Sequence, residues 1–365
     1  MKILRILGTR GVPASHGGFE TFAEQLAIFL VKRGWRVVVY CQKLGDEKIY
    51  GDIWNGVERI HIPVWQTGAK GTILFDWKST KHACQFNDIC LTLGYNTAIF
   101  CSVLRLKGIY NVINMDGLEW TRAKWGLWAR IWLWLNERAA CWIGNHLVAD
   151  HPEIKKHLES RISAEKITMI PYGANLISNA SLTHVYKFGL IPKKFITVIA
   201  RAEPENSILE IVSGFSSKHR DCELVILGSY YESDPYHRRV RAAASKQVRF
   251  VGPIFEKEIV QALRFFSILY VHGHQVGGTN PSLVEALGAG NPIVAHDNHF
   301  NRWVAGDGAI YFNGAASFSY CLENLLTNPK KLQEMSALSL MRFRSEFVWS
   351  DVLRQYEELL SHKSF

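Results

Sequence analysis

The sequence lacks several patterns that would point to common classes of function. Its seven cysteines form no CxxC pair and no Cys/His group at zinc spacing, which indicates reduced thiols in a cytosolic protein rather than a zinc site or a disulfide framework. Neither GxGxxG nor GxxxxGK[ST] occurs, so neither a dinucleotide fingerprint nor a P-loop is predicted. Low-complexity tracts are missing as well, which argues against disorder.

Targeting and membrane-spanning signals are also missing. The N-terminus "MKILRILGTRG" becomes glycine-rich after about five apolar positions, too few for the apolar region of a signal peptide. No apolar run approaches the roughly 20 residues that cross a bilayer. We therefore expect a cytoplasmic protein.

What is present is an ordinary globular composition with a basic N-terminal half. The chain has 365 residues, 48% of them hydrophobic and 21% charged, which suits two domains of about 150 to 200 residues each. Residues 1–175 contain 22 lysines and arginines against 15 acidic residues. Such a charge bias suits nucleic acid, anionic lipid or a phosphorylated substrate, and charge alone does not choose among them.

Short β-branched runs alternate with helix-length segments along the whole chain. The first half contains "KILRILG", "WRVVVYC", "DICLTLG", "NVINM" and "HLVAD", and the second half contains "FITVIAR", "ELVILGS", "VRFVG", "ILYVHG", "PIVAHD" and "AIYF". This is the rhythm of a parallel sheet, so the sequence predicts an α/β fold with two Rossmann-like doubly wound domains. We expect domains at 1–174 and 175–345, a terminal helix within 346–365 that could pack back on the first domain, and a ligand cleft between the domains.

The loop after the first strand is long and glycine-rich. In "GTRGVPASHGGFETF" the residues Gly17 and Gly18 open a helix at about Phe19, and His16 lies beside them. Glycines let backbone approach a ligand, and a helix N-terminus favours a phosphate. We expect Gly17 and Gly18 to contact the phosphorylated donor substrate of a group transfer, and His16 to contact the acceptor substrate. The alternative is that the loop is merely a flexible turn.

A second glycine-rich turn follows a strand in "ILYVHGHQVGGTNPSLVEALGAGNPIVAHDN". Its N–H groups are expected to receive a pyrophosphate at the start of the next helix. Glu285 lies about one and a half turns into that helix, where its carboxylate can accept hydrogen bonds from a ribose diol. The predicted contacts are Gly277, Gly278, Thr279, Asn280, Ser282 and Glu285.

This turn and helix resemble those of the retaining family-4 glycosyltransferases of the GT-B fold, which carry two glutamates eight positions apart. Glu285 matches the second glutamate, whereas Gly277 stands at the first, which contacts the donor hexose in that family. "VIARAEPENSILEIVSGF" resembles the family segment in which an arginine and a lysine grip the donor diphosphate. Arg201 matches the arginine, and Asn206 stands at the lysine position.

The motifs "SHGGFETFAEQLA", "MDGLEW", "ARAEPEN" and "GGTNPSLVEALGAGNPIVAHDN" together resemble the bacterial rhamnosyltransferase branch, of the β-1,4 type, over nearly the whole chain. The resemblance implies transfer of L-rhamnose from dTDP-L-rhamnose to a lipid-linked saccharide, during the synthesis of capsule, O-antigen or cell-wall polysaccharide. It also implies a retaining reaction without cofactor or metal, in keeping with the missing DxD motif. Catalytic roles are expected for Arg201, Glu285 and Asp116. The alternatives are a UDP- or GDP-linked donor, a sugar-nucleotide epimerase, or a non-catalytic nucleotide-sugar-binding subunit of an assembly complex.

Acidic residues follow two further strands of the first domain. Asp116 comes after "NVINM" and Asp150 after "HLVA", with His151 beside it. Since ligands bind beyond the carboxyl ends of parallel strands, we expect all three to contact the acceptor. The alternative for Asp116 and Asp150 is to cap the helices that follow them.

Six of the twelve tryptophans lie between positions 120 and 142, interspersed with arginine and lysine. Trp125, Trp128 and Trp132 are expected to share one helical face. Tryptophan and basic residues on an amphipathic helix favour contact with anionic lipid, here at the inner face of the cytoplasmic membrane. The alternative is that this face packs into the domain core. Nucleic acid is not an expected partner, because no recognition motif accompanies the charge.

Overall fold

The computed structural model describes residues 1–15, 17–122 and 124–361. Contacts divide the chain into two compact units: Met1–Tyr172 together with the segment from Trp349 onward, and Gly173–Val348. The sequence places the corresponding boundary between residues 174 and 175. His16, one of the predicted acceptor contacts, lies outside the described residues.

The first unit is built on an eight-stranded sheet with the order β3-β4-β2-β1-β5-β6-β7-β8, parallel except where β3 and β4 pair. Its strands are β1 (Ile3–Leu7), β2 (Arg36–Leu44), β3 (Tyr50–Trp54), β4 (Val57–Val64), β5 (Ile89–Leu93), β6 (Asn111–Asn114), β7 (His146–Ala149) and β8 (Ile167–Met169). The helices between them are α1 (Gly18–Lys32), α2 (Gly68–Ala83), α3 (Ser102–Leu106), α4 (Leu127–Ile143) and α5 (Pro152–Glu159). The central strands β1, β2 and β5 form the core because their aliphatic residues are covered by helices on both faces.

The second unit repeats the pattern with a fully parallel six-stranded sheet, in the order β11-β10-β9-β12-β13-β14. Its strands are β9 (Phe195–Ile199), β10 (Glu223–Leu227), β11 (Val248–Gly252), β12 (Tyr270–His272), β13 (Ile293–His296) and β14 (Ile310–Phe312). Its helices are α6 (Thr183–Tyr186), α7 (Ile208–Ser216), α8 (Pro235–Ala242), α9 (Lys257–Phe265), α10 (Pro281–Gly288), α11 (His299–Ala305), α12 (Ala315–Leu326) and α13 (Pro329–Glu346). Two doubly wound α/β units confirm the predicted fold class.

The last helix, α14 (Trp349–Ser361), belongs to the first unit although it follows the second in sequence. Its apolar face, including Trp349, Val352 and Leu353, is buried in the same core as α1 and β1. Tyr356 is also buried there, and its hydroxyl accepts a hydrogen bond of 2.8 Å from Nδ2 of Asn114 at the end of β6.

One β-hairpin is absent from the sequence-based prediction. β3 and β4 pair antiparallel across Asn55 and Gly56, which have φ values of 49° and 79°. An Asn-Gly pair with two positive φ values is the usual two-residue hairpin turn. This dipeptide is the signal in the sequence that could have revealed the hairpin.

Candidate functional site

In the second unit, two loops meet at the carboxyl ends of the neighbouring parallel strands β9 and β12. Ser207 Oγ donates to the Gly273 carbonyl at 2.8 Å, and Gln275 Nε2 donates to Ser207 Oγ at 3.0 Å. A β-carbon on Gly273 would lie 2.1 Å from the Asn206 carbonyl oxygen, so glycine is required for this approach. The two loops that carry the predicted diphosphate and sugar contacts are therefore joined side by side.

In the loop after β9, the side chain of Arg201 is exposed and that of Asn206 is buried. Arg201 is exposed, whereas Asn206 is 1% exposed and its Nδ2 donates to the Arg201 carbonyl at 2.9 Å. The residue at the family's lysine position thus holds the backbone of the arginine. An exposed guanidinium on a fixed backbone can bind phosphate oxygens bidentately.

The start of α10 is organised by Asn280, the residue before its first turn. Asn280 Oδ1 accepts the Ser282 N–H at 3.0 Å, and Pro281 at the first helical position has no N–H to offer. The donors available to an anion here are therefore those of the preceding turn. Among the residues the structure describes, the N–H groups of Gly277 and Gly278 have no hydrogen-bond partner. Thr279 in the same turn is buried.

The space around Gly277 would admit a side chain, but its backbone conformation disfavours any residue other than glycine. No atom lies within 4 Å of the place that a β-carbon would take at this position, yet φ is 142°, a region that L-residues other than glycine rarely adopt. The glutamate of the resembling family would be strained at this position. Glycine at position 277 therefore fits the backbone conformation of this turn.

Glu285 is held by a residue that no sequence motif indicates. Its Oε2 lies 2.7 Å from Nη2 of Arg264, whose side chain is 4% exposed, while the Glu285 side chain is 37% exposed. The same Nη2 donates to Ser282 Oγ at 3.1 Å. The hydroxyl of Ser282, a predicted donor contact, is therefore committed to this internal network. Arg264 lies on α9 with no local motif around it, so nothing in the sequence marks it as buried.

Two histidines stack at the end of β12. The ring centroids of His272 and His274 are 4.3 Å apart with an interplanar angle of 11°. His272 is fully buried, and burial together with the neighbouring His274 and Arg264 holds its pKa well below the usual range. His272 is consequently neutral at physiological pH.

In the first unit, Asp116 lies where the sequence predicts, just beyond β6. Its φ of 52° is left-handed, and its N–H donates to Asn114 Oδ1 at 3.0 Å. Burial and the nearby Glu119 carboxylate raise its pKa to about 6, although Arg122 and Lys124 act in the opposite direction. Asp116 does not cap the following helix, because the residue before the first turn of α4 is Gly126.

The other predicted acceptor contacts divide into two groups. Asp150 follows β7, which is the parallel neighbour of β6, so it shares the sheet edge with Asp116. His151 lies in a different environment. Its side chain is fully buried, and its Nδ1 accepts the Glu153 N–H at 3.1 Å as the cap of α5. His151 therefore caps α5, and its contact with the acceptor stays a prediction.

Gly17 and Gly18 begin α1, as predicted, but carboxylates of that helix bind the loop before them. Glu24 Oε2 accepts the Ala14 N–H at 2.6 Å, and Glu20 Oε1 accepts the Arg10 N–H at 3.4 Å. Gly17 precedes the first turn without a side-chain cap. The loop is therefore folded onto its helix rather than a loose turn.

The tryptophan-rich segment differs from its prediction in one respect. α4 begins at Leu127, so Trp125 is not on the helix, and its Nε1 donates instead to Glu119 Oε2 at 3.1 Å. The exposed stripe of α4 has helical spacing and consists of Trp128, Ile131, Leu135 and Trp142. Trp128 is 82% and Trp142 is 76% exposed, so this face does not pack into the core.

The opposite face of α4 buries a charged group. Glu137 is 1% exposed; it forms an ion pair with Nε of Arg161, just beyond α5, at 2.9 Å and a hydrogen bond with Nε2 of His157 on α5 at 3.1 Å. Trp120 Nε1 donates to the same carboxylate. Glu137 thus fixes the loop after β6 to α4 and α5. Among the described residues no cluster of histidine, cysteine or acidic side chains could hold a metal ion, and no described helix is long and apolar enough to cross a bilayer.

The halves of the chain match two different family models. Residues 188–338 match the model described as glycosyl transferases group 1, and residues 1–175 match a domain of unknown function, DUF1972. No curated protein matches the sequence. The chain is a glycosyltransferase.

Solved structures agree with this fold over the whole length of the glycosyltransferase. Sucrose-phosphate synthase from Thermosynechococcus elongatus superposes with a TM-score of 0.82 at 15% identity, covering 99% of each chain. Anabaena HepE, solved with UDP and glucose, gives 0.77 at 12% identity over 99% of each chain. The UDP-forming α,α-trehalose-phosphate synthase from Burkholderia xenovorans gives 0.75 at 12% identity, over 99% of this chain and 100% of that one. At such identities the likeness shows the fold, which is GT-B.

Proposed function

We propose that this glycosyltransferase binds a nucleotide-sugar donor at the joined loops of its second unit and transfers the sugar with retention, without a metal ion. The proposed donor is dTDP-L-rhamnose and the acceptor a lipid-linked saccharide of a bacterial surface polysaccharide. The observation that carries this proposal is the placement of two side chains: Arg201 is exposed and follows β9, and Glu285, which is bound by Arg264, lies on the helix that follows the neighbouring strand β12. UDP in HepE and the UDP-forming activity named for trehalose-phosphate synthase support a nucleotide donor.

The roles follow from charge. The developing charge of a departing diphosphate is stabilised by a guanidinium and by N–H groups, which Arg201 and the turn at Gly277 and Gly278 supply. Glu285 is proposed to accept hydrogen bonds from the ribose hydroxyls. In a retaining transfer of this kind the acceptor hydroxyl attacks from the side that the diphosphate leaves, and a donor phosphate oxygen takes its proton. No strong protein base is then required.

The sugar preference rests on the resemblance and on Gly277. In the family that this chain resembles, a glutamate carboxylate at this position contacts the hydroxyl groups of the donor hexose. This chain has glycine at position 277 and therefore no side chain to make that contact. A 6-deoxysugar, which has one hydroxyl fewer, places less demand on such a contact. The missing side chain at position 277 therefore supports rhamnose as the transferred sugar, and no other residue needs to replace the carboxylate.

The proposed location is the cytoplasmic face of an anionic membrane. The apolar stripe of α4, with Arg130 and Arg138 on the same helix, offers aromatic rings at headgroup depth and cations to lipid phosphates. A lipid-linked acceptor would be presented at that surface. The excess of 22 basic over 15 acidic side chains in residues 1–175 points in the same direction.

The direct test is product analysis with a panel of dTDP-, UDP- and GDP-sugars and a synthetic lipid-linked acceptor. Mass spectrometry identifies the transferred sugar by its mass, and the one-bond carbon–proton coupling at the anomeric carbon of the product gives the stereochemistry. We expect a rhamnosyl product with the donor's anomeric configuration, formed equally well in EDTA. An inverted product, or no glycoside with any donor, would contradict the proposal.

Variants assign the two side chains. Arg201→Met and Glu285→Gln are each expected to lower kcat/KM by about 100-fold or more, because each removes a contact made to the donor in the transition state. Arg344→Met, an exposed arginine on α13 of the same unit, is the matched control and should retain full activity. Wild-type rates in Arg201→Met or Glu285→Gln would remove that residue from the proposed site.

A further inference from the structure

Arg264 is the buried partner of the exposed carboxylate in the donor site. It lies in the last turn of α9, and its ion pair with Glu285 joins that turn to α10. A guanidinium buried to this degree is costly unless its charge is paired. The pairing therefore constrains both residues, and only the glutamate of the two is accessible to a ligand.

A network fixes the arginine itself. Ser282 Oγ lies 2.6 Å from the Tyr270 hydroxyl, which donates to the Ile199 carbonyl at 3.3 Å. The backbone of Arg264 is held as well, since its carbonyl accepts Nδ2 of Asn291 at 2.8 Å. Ile199 is the last residue of β9, two positions before Arg201. The chain of contacts thus runs from the buried guanidinium to the strand end that carries the proposed diphosphate ligand.

We propose that Arg264 is a positioning residue, which holds the Glu285 carboxylate in the orientation that receives the donor ribose. Arg264 binds Oε2, and the carboxylate is restrained before the nucleotide arrives. A free glutamate side chain would lose rotamer freedom on binding, and a pre-ordered one does not. The inference rests on the proposed role of Glu285 and adds to it the residue that makes the contact rigid.

The experiment measures binding of UDP and dTDP by calorimetry to the full-length protein and its variants. Arg264→Met should raise the Kd of the preferred nucleotide about 10-fold, with a smaller effect on kcat. Arg264→Lys, which keeps the charge but cannot reproduce the fork geometry, should raise it about threefold. Arg220→Met is the control: Arg220 is similarly buried in the same unit but binds the backbone carbonyls of Gly214 and Lys218, so its loss should lower the melting temperature and leave Kd unchanged.

A double-mutant cycle separates positioning from general stability. In a Glu285→Gln background, either Arg264 substitution should change Kd by less than about twofold, because the carboxylate through which it acts is already gone. Full additivity, or unchanged Kd in the single Arg264 variants alongside a lower melting temperature, would overturn the inference. If Arg264→Met does not fold, the Arg264→Lys arm of the same cycle decides.

The cycle also distinguishes the two levels of the proposal. If Glu285→Gln alone leaves nucleotide Kd unchanged, the ribose contact is wrong and the positioning role falls with it. If Glu285→Gln weakens binding and the Arg264 variants do not, the donor contact stands and the positioning role alone is rejected.

Discussion

At the scale of single residues, Asp116 shows how the position of a side chain in the fold sets its charge. Its carboxyl lies beyond β6, and burial, reinforced by the Glu119 carboxylate, raises its pKa to about 6 from the ordinary 3.8. It therefore titrates within the range of ordinary enzyme assays. Its left-handed φ also restricts replacements, since asparagine tolerates that conformation better than most residues.

Asp116→Asn is expected to lower kcat/KM at pH 8 by about 10-fold or more, if the carboxylate orients the acceptor. In the wild type, activity should fall below about pH 6 as the carboxylate takes up a proton, and the variant should lose this acidic limb. The measurement is a pH profile of kcat/KM from about 5 to about 9, a range that brackets the raised pKa. An unchanged acidic limb in Asp116→Asn would assign that limb to another group.

Stability gives a second readout of the same group. Because the folded-state pKa is raised, the folded protein holds the proton more tightly than the unfolded chain does. The contribution of Asp116 to stability is then present below about pH 4 and is lost as the pH rises to about 6. The melting temperature of Asp116→Asn should be less sensitive to pH across this window than that of the wild type.

At the scale of elements, strands were predictable and side-chain partnerships were not. The runs of β9 and β10 are mostly apolar and rich in β-branched residues because both faces of their sheet are covered, so the pattern is unambiguous. Arg264 precedes Glu285 by 21 positions on another helix, and a buried arginine looks like a surface one in sequence. The helix cap formed by His151 is hard to read from the sequence for a related reason: imidazole is an infrequent helix cap, and only the contact from the Glu153 N–H reveals it.

The helix α4 also shows that an element can be predicted from the sequence while the environment of its individual side chains cannot. Its tryptophans predict an amphipathic helix, but the start at Leu127 decides which of them are exposed. Leu133, Ala140 and Cys141 are buried on one side, and the stripe from Trp128 to Trp142 is exposed on the other. Surface patches of large apolar side chains commonly mark interaction sites.

If that stripe contacts lipid, Trp128→Ser/Trp142→Ser should weaken binding to anionic vesicles by about 10-fold or more, because two exposed rings no longer partition into the interface. Sedimentation with phosphatidylglycerol vesicles measures this, with phosphatidylcholine vesicles and high salt expected to reduce binding of the wild type. Trp65→Ser is the matched control, since Trp65 is 64% exposed at the end of β4 and does not lie on α4. Equal binding by the double variant and the control would exclude this helix as the lipid contact.

At the scale of the whole molecule, the chain leaves its first unit after Tyr172 and returns to it at Trp349. The first unit is therefore discontinuous in sequence, and its core includes residues that follow the whole of the second unit. α14 contributes five side chains with at most 6% exposure to the core that contains β1 and α1. Tyr356 among them also bonds Asn114, whose Oδ1 accepts the Asp116 N–H. The C-terminal helix thus supports both the core and the strand end where the acceptor is proposed to bind.

Tyr356 tests this arrangement. Tyr356→Phe should cost about 1 kcal/mol through loss of one buried hydrogen bond, and Tyr356→Ala about 3–5 kcal/mol through the cavity left by the ring. In Tyr356→Ala, hydrogen exchange followed by mass spectrometry should show faster exchange than in the wild type in β1, β6 and α1, because α14 packs in the core of the first unit. Exchange in β9 and β10 should be unchanged. Tyr320→Ala, which removes a tyrosine that is 67% exposed on α12, is the control. Faster exchange confined to the second unit in Tyr356→Ala would mean that α14 stabilises a different part of the chain from the one its contacts indicate.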